Sequence, residues 1–568
     1  MKTQADEVPR GTVLRADVCI VGGGPAGITL ALALADSGLA VLLLEAGRHP
    51  LDARAQALYE GELANTLHSP PHRYRMRGLG GSSTRWGGRC MPFDPLDFEA
   101  RDWVGACGWP ISYDELLPHY VAANALAEAG AFAYDAREAF PAAPPLVTGF
   151  ASDIVRTTGL ERFSCPTDFG RRYARRLALA RDVQVLEGAV CTAIRLQGDG
   201  LAVDWLDIAT LAGNRLRAKA RAVVLAAGGL ETARLMLCSN DVVPQGVGNR
   251  HDVVGRYYMC HIAGNVGTLA IHGTAADVRH GYEISPDGVY CRRRLSIAPA
   301  CQRRDGLLNA VARLHFPRIT DPSHGSGVLS GLFLARRFIS YEYGRRLHDP
   351  HAPHMPSPSI CARHLRNVVC DGVDTAAFLG HWIARRTLAP RKFPSVILRN
   401  RSNRFSLEVQ GEQLPHPASR VTLGDGVDAL GMRRLRVDWR YQPQDIDSLA
   451  RSLGLMAAEF ERTGAGRLAF RPGSLEEDLL RYGAYGGHHI GTARMGWDPR
   501  TSVVDPQCRV HSVRNLFVAG SAAFPTSSQA NPTLTLVALS LRLAQHLACR
   551  LEPRRAAATE VASPAAVT

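Results

Sequence analysis

Three stretches of this chain repeat one hydrophobic rhythm, and they lie far apart. In residues 16–47 a short apolar run, Val18–Val21, gives way to glycines, then to apolar positions at helical spacing, then to a second run, Val41–Leu44. That order is strand, turn, helix and strand, a βαβ unit. Residues 221–237 (RAVVLAAGGLETARLML) pass from β-branched positions into a helical pattern, and residues 515–547 read as a short strand, a Ser/Pro loop and a long helix. Strand ends that carry glycines belong together in one α/β sheet. The pattern predicts a Rossmann-like domain assembled from the discontinuous segments 17–90, 186–261 and 471–550. The less regular stretches 91–185 and 262–470 are expected to form an inserted α+β substrate-binding domain. Residues 1–16 read as a loose leader and the alanine-rich 551–568 as a flexible tail.

The first turn carries specific chemistry. Gly22, Gly24 and Gly27 form a GxGxxG element directly after the first strand. Its spacing supplies a tight turn, close approach of backbone to a pyrophosphate, and packing of helix against strand. The helix start then offers N–H groups and a positive dipole end to phosphate. Glu45 ends the next strand eighteen residues after Gly27, where a carboxylate can accept the ribose hydroxyls of an adenosine. NAD and FAD both satisfy this spacing. A second cluster, GLGGSSTRWGG, gathers Gly80, Gly81, Ser82, Arg85, Gly87 and Gly88 in one loop. So many backbone amides in one place suit a flat or anionic object, which favours the flavin.

Composition narrows the class. The 568 residues are 46% hydrophobic and 21% charged, enough for a large core and unlike a disordered, collagen-like or coiled-coil chain. No run of eighteen apolar residues occurs, which argues against a spanning helix. The start has no apolar h-region or twin arginine, and the thirteen cysteines are scattered without a CxxC pair. Both features lead us to expect a cytoplasmic protein with reduced thiols; Cys238 and Cys508 read as small core fillers. The net charge is +13, and residues 331–404 hold twelve Arg and one Lys against four acids. Apolar residues at helical spacing accompany the paired arginines there. That pattern suits a solvated basic face or peripheral contact with an anionic membrane. No nucleic-acid-binding signature accompanies the charge. His348, His351 and His354 sit among prolines at a spacing that suits no zinc signature, so no metal is expected. Neither G-x-S-x-G nor H-E-x-x-H occurs, and hydrolase readings find no support.

In order, GGGPAG, GLGGSSTRWGG, VVLAAGGLETARLML and the closing HHIGTARMG with ANPTLT resemble the glucose–methanol–choline (GMC) oxidoreductases. The likeness is nearest to the bacterial branch around pyranose oxidase and the sugar and polyol dehydrogenases. It implies an FAD-binding sheet domain and oxidation of a sugar, polyol or glycoside hydroxyl, with a dehydrogenase favoured over an oxidase and the electron acceptor unknown. Such a reaction needs a base that titrates near working pH and a fixed donor beside the developing alkoxide. The resemblance assigns these roles to His488, which opens H-x-x-G-T, and to Asn531, and leaves His489 a structural role. It also implies flavin contacts from Val190, Gly228, Gly520, Ser521, Asn531 and Thr533. One departure matters: where pyranose oxidase-like members join a loop histidine covalently to the flavin, this chain has Arg85. Non-covalent FAD is therefore expected. Two alternatives stay open, a redox-neutral flavoprotein lyase of the same family and a membrane-docked flavoprotein subunit of an electron-transfer complex.

Overall fold

The computed structural model describes residues 2–48, 52–105, 108–317, 319–338, 357–398, 400, 402–482 and 485–551. The three histidines at 348, 351 and 354 and nearly all of the expected tail lie outside the described residues. The three rhythmic stretches meet in one sheet. Val183–Glu187, Val41–Glu45, Val13–Val21 and Arg215–Leu225 run parallel in that order, and Leu516–Val518 lies beside the last turn-ward residues of Arg215–Leu225. The opposite end of that long strand pairs antiparallel with Val203–Ala209, which continues to Val190–Leu196. Val41–Glu45 is buried at every position, as is the last part of Val13–Val21. A parallel sheet is covered on both faces, so its strands read as unbroken apolar runs and not as alternation. Part of that cover is helix Pro25–Leu34, which packs against Phe169–Leu179 and the closing helix Thr533–Arg550.

Two expectations need correction. The leader is not loose: Lys2–Gln4 adds a parallel edge strand to Val183–Glu187, and Lys2 Nζ lies 2.9 Å from the Glu187 carboxylate. Three polar residues carry no strand signal of their own; an open sheet edge supplies their partners. Residues 91–185 also depart from the plan. Ile111, Leu116, Tyr120, Phe169 and Tyr173 are buried in the same apolar core as Val18 and Leu44, because helices Tyr113–Leu126 and Phe169–Leu179 lie on the first layer. Conversely, Leu475, Leu479 and Tyr485 join the second core.

The second layer is an antiparallel sheet in the order Gly466–Ala469, Ile262–Ile271, Arg404–Gly411, Ala310–His315, Leu295–Ile297 and Val155–Arg156. Alternation along it decides the chemistry of its two faces. Phe405, Leu407 and Val409 enter a core with Leu449, Leu453, Met456 and Phe460. Those four residues recur every three or four positions on helix Pro443–Arg462, one apolar stripe. Ser406, Glu408 and Gln410 alternate with the apolar set, as do Arg313 and His315 on the neighbouring strand. Among the described residues no cysteines pair, no acidic, His or Cys group is arranged to hold a metal, and no helix is long and apolar enough to cross a membrane.

Candidate active site

A cleft of about 1200 Å³ is lined both by the carboxyl ends of the first sheet and by Glu408, Gln410 and His315 of the second. Ligands of open α/β sheets bind at these strand ends. Gly22 and Gly24 line it. A Cβ on Gly24 would meet nothing within 4 Å, whereas one on Gly27 would sit 1.9 Å from the Gly22 carbonyl oxygen. Gly24 therefore leaves backbone open to a ligand, and Gly27, which does not line the cleft, lets the helix close on the turn. No side chain caps the start of helix Pro25–Leu34, so its first N–H groups are available to a phosphate.

Glu45 lines the cleft as expected but has a second task. Its Oε2 accepts the Gly23 N–H at 2.8 Å and its Oε1 the Gly47 N–H at 2.6 Å. Burial raises its pKa, against the pull of those two bonds. Each oxygen keeps a further lone pair for a hydroxyl, so the carboxylate both pins the glycine turn and can receive a ribose.

In the second cluster Gly81, Ser82, Arg85 and Gly87 line the cleft, while Gly80 and Gly88 do not. A Cβ on Gly80 would come within 2.6 Å of the Asp168 carboxylate, and one on Gly88 within 3.0 Å of the Ser164 carbonyl oxygen. Those two glycines seat the loop, and Trp86 Nε1 donates to the Thr167 carbonyl at 2.9 Å. Arg85 is exposed. Val190, Gly228, Gly520, Ser521 and Thr533 also line the cleft. Open backbone at Gly24, Gly87 and Gly228, where a Cβ would touch nothing, fits a long ligand held by main-chain groups, as FAD requires. A buried knot that sequence reading missed backs this groove. Arg75 and Arg77 lie over the Tyr59 ring at 4.0 and 4.2 Å and pair with Glu231 at 3.0 and 3.1 Å. Burial alone would raise the Glu231 carboxyl, but Arg234, Arg77 and Arg75 outweigh it and hold it at about 2. The basic alternation RYRMR just before the second glycine cluster was the available signal.

The candidate catalytic pair lines the same cleft. Met259 and Ile490 exchange two backbone hydrogen bonds, 2.9 and 3.1 Å, which puts residues 261 and 488 opposite each other in an antiparallel register. His261 Nδ1 and His488 Nδ1 are 2.8 Å apart. Ser521 Oγ donates to the His489 carbonyl at 2.7 Å, and the Thr492 hydroxyl to the Gly229 carbonyl, so the histidine loop is bolted to two strand ends of the first sheet. Gln410 Nε2 donates to Asn531 Oδ1 at 3.0 Å and to the Gln529 carbonyl at 2.7 Å. With its oxygen engaged, the Asn531 carboxamide has its N–H donors left to aim elsewhere. His489 lines the cleft too, but its Nδ1 is tied to the Tyr258 hydroxyl at 2.8 Å, which also meets His68 Nε2 at 2.8 Å. Burial, with Arg75 nearby, keeps His489 well below the usual imidazole range. Further along the second sheet, Glu408 lies 3.3 Å from Arg292 and 3.7 Å from Arg89, all three on the cleft. His261, Gln410 and this ionic floor were not found from sequence, where they are isolated polar residues in or beside strands.

Known proteins resemble this chain over most of its length. A family model described as FAD dependent oxidoreductase matches residues 17–315, and one described as GMC oxidoreductase matches residues 415–540. The 6'''-hydroxyparomomycin C oxidase of Streptomyces lividus is 25% identical, covering 97% of this chain and 95% of its own. The fructose dehydrogenase large subunit of Gluconobacter japonicus is 25% identical, covering 94% and 97%. The structure of pyridoxine 4-oxidase from Mesorbium loti has a TM-score of 0.53 at 19% identity, covering 93% of this chain and 98% of that one, a likeness of fold. Because the first family model spans more than half the chain and the second takes in both His488 and Asn531, the chain belongs to the FAD-dependent oxidoreductases of the GMC family.

Proposed function

We propose that this protein oxidises a hydroxyl of a sugar, polyol or glycoside to a carbonyl, with His488 as the base and Asn531 as the anchor of the substrate oxygen. The observation that carries the reading is that both side chains line the cleft that holds the dinucleotide groove, each bonded to a side chain in or directly beside the second sheet. FAD, when bound, supplies the hydride acceptor. The protein's own part is to take the hydroxyl proton on the His488 imidazole and to hold the developing alkoxide with an Asn531 N–H. Gln410 and Glu408 stand two residues apart on one strand face, about 7 Å, a spacing on the scale of a monosaccharide. Glu408, Arg89 and Arg292 therefore suit the remaining hydroxyls of a ring whose reacting carbon lies near Asn531. The relatives named for 6'''-hydroxyparomomycin C and for fructose support the substrate class.

FAD is held non-covalently in this reading, since the guanidinium of Arg85 offers no such link; acid precipitation should leave the yellow colour in the supernatant. We favour a dehydrogenase in the cytoplasm that uses an acceptor other than oxygen. Helices Pro358–Cys370 and Gly372–Trp382 expose Leu365, Val369, Val373 and Leu379 near Arg363, Arg366 and Arg385. Arg386 and Pro394, a few residues on, line the cleft. A basic apolar surface so close in sequence to the cleft lining suits peripheral contact with an anionic membrane, which salt-sensitive co-sedimentation with anionic vesicles tests. The decisive experiment for the activity is an anaerobic stopped-flow screen of flavin bleaching against sugars, polyols and aminoglycosides. A yellow protein that no alcohol bleaches refutes the reading.

A further inference from the structure

We infer that His261 is a positioning residue for His488: it accepts a hydrogen bond from the His488 Nδ1–H and so fixes the tautomer in which His488 Nε2 carries the lone pair. The pairing of the two rings stands on geometry. The tautomer rests also on the oxidation reading above, because a base that takes the hydroxyl proton at His488 Nε2 needs its lone pair there and therefore carries its proton on Nδ1, the atom that faces His261. The Nδ1 atoms are 2.8 Å apart, and the rings meet edge-on at 90° with centroids 4.8 Å apart. Two ring nitrogens at that distance share one proton, which one of them donates.

The far side of His261 decides which ring supplies it. His261 is 4% exposed, and its other nitrogen, Nε2, is buried without a well-aligned hydrogen-bond partner. The backbone groups around the ring belong to Ser527, Ser528 and Ala530, and they favour a protonated nitrogen. An N–H turned toward carbonyl oxygens is attracted; a lone pair turned toward them is repelled. His261 therefore keeps its proton on Nε2, and its Nδ1 is the acceptor. Burial, with Arg313 also opposing a charge, holds the His261 pKa at about 4 despite those carbonyls, so the ring carries a single proton at neutral pH. His488 must then donate from Nδ1, and its Nε2 is basic. When the substrate hydroxyl gives its proton to that Nε2, the resulting imidazolium still donates to a neutral partner, through a bond that its charge strengthens. The register set by Met259 and Ile490 holds the two rings together without help from substrate.

Long-range ¹H–¹⁵N spectra of the holoprotein, labelled with ¹⁵N-histidine and assigned with His488→Ala, read the tautomer directly. We expect the neutral His488 ring to be protonated on Nδ1. His261→Leu should abolish that preference and lower the limiting rate of flavin reduction by roughly 10–100-fold, the loss of one hydrogen bond to a charged group, with substrate dissociation unchanged. His261→Asn, whose carbonyl can reach the position of Nδ1, should recover most of the rate. A neutral His488 protonated on Nε2, or a His261→Leu protein as fast as wild type, overturns the inference. If His261→Leu fails to retain FAD, the wild-type spectrum and His261→Asn decide. If no alcohol bleaches the wild-type flavin, the oxidation reading falls while the spectrum still tests the tautomer.

Discussion

Replacing Gln410 tests whether the second sheet aims Asn531. The wild-type Gln410 amide donates to Asn531 Oδ1 and to the Gln529 carbonyl, so the Asn531 carboxamide is held with its N–H donors free to face an alkoxide. Gln410→Leu removes the constraint and leaves the two orientations of that carboxamide close in energy. About half the molecules then remain productive, so the lost orientation by itself costs roughly twofold; the buried acceptors left unpaired cost stability of about 1–3 kcal/mol each. Gln410→Glu acts differently. The introduced carboxylate accepts from Asn531 Nδ2 and selects the wrong orientation by the worth of a charged hydrogen bond, about 1.5–3 kcal/mol, or roughly 10–100-fold in rate. The more conservative side chain should thus be the slower enzyme. Once protonated, the same carboxyl can donate to Oδ1, so the Gln410→Glu rate should recover relative to wild type as pH falls. The assay is the limiting rate of anaerobic flavin reduction across pH, with flavin content measured on each protein. A Gln410→Glu protein that matches Gln410→Leu or wild type at high pH, with full flavin, would refute the reasoning.

Three further outcomes follow from the same geometry. His488→Ala should slow flavin reduction on the order of 10²–10⁴-fold, and His489→Ala, which loosens the Tyr258 contact, much less; the opposite ranking in stopped-flow traces would transfer the base to His489. Gly27→Ala should yield protein depleted in FAD, because its Cβ would lie 1.9 Å from the Gly22 carbonyl oxygen; a normal flavin-to-protein absorbance ratio would count against the groove. Glu231 is held at about 2 when folded, below its unfolded value of 4.5, so it stabilises the fold above about pH 4.5 and loses that contribution as pH falls toward 2. The shift corresponds to about 3 kcal/mol, and Glu231→Gln should remove that part of the pH dependence in acid denaturation curves.

The parts of this protein written in local pattern were legible in its sequence. Val18–Val21 and Val41–Leu44 are apolar runs because a parallel strand is buried on both faces, and the turn between strand and helix needs glycine at 22 for its positive φ and at 27 because a Cβ there would meet the Gly22 carbonyl oxygen. The same holds for the stripe Leu449, Leu453, Met456 and Phe460, whose spacing is set by the helix itself. Other assignments depended on partners that no local pattern names. Lys2–Gln4 is a strand only because the edge of Val183–Glu187 is open to it. The helices within 91–185 carry ordinary apolar faces, and which layer they cover is decided by the helices already lying there. His261 and Gln410 acquire their meaning from residues 227 and 121 positions away. A backbone register, Met259 against Ile490, makes the first of those pairs, and the buried loop of residues 527–531 makes the second. Periodicity and turn chemistry act over a few residues, so the chain alone determined its elements and its dinucleotide turn; the direction in which a base and an amide point is a property of packing, and tertiary structure decided it.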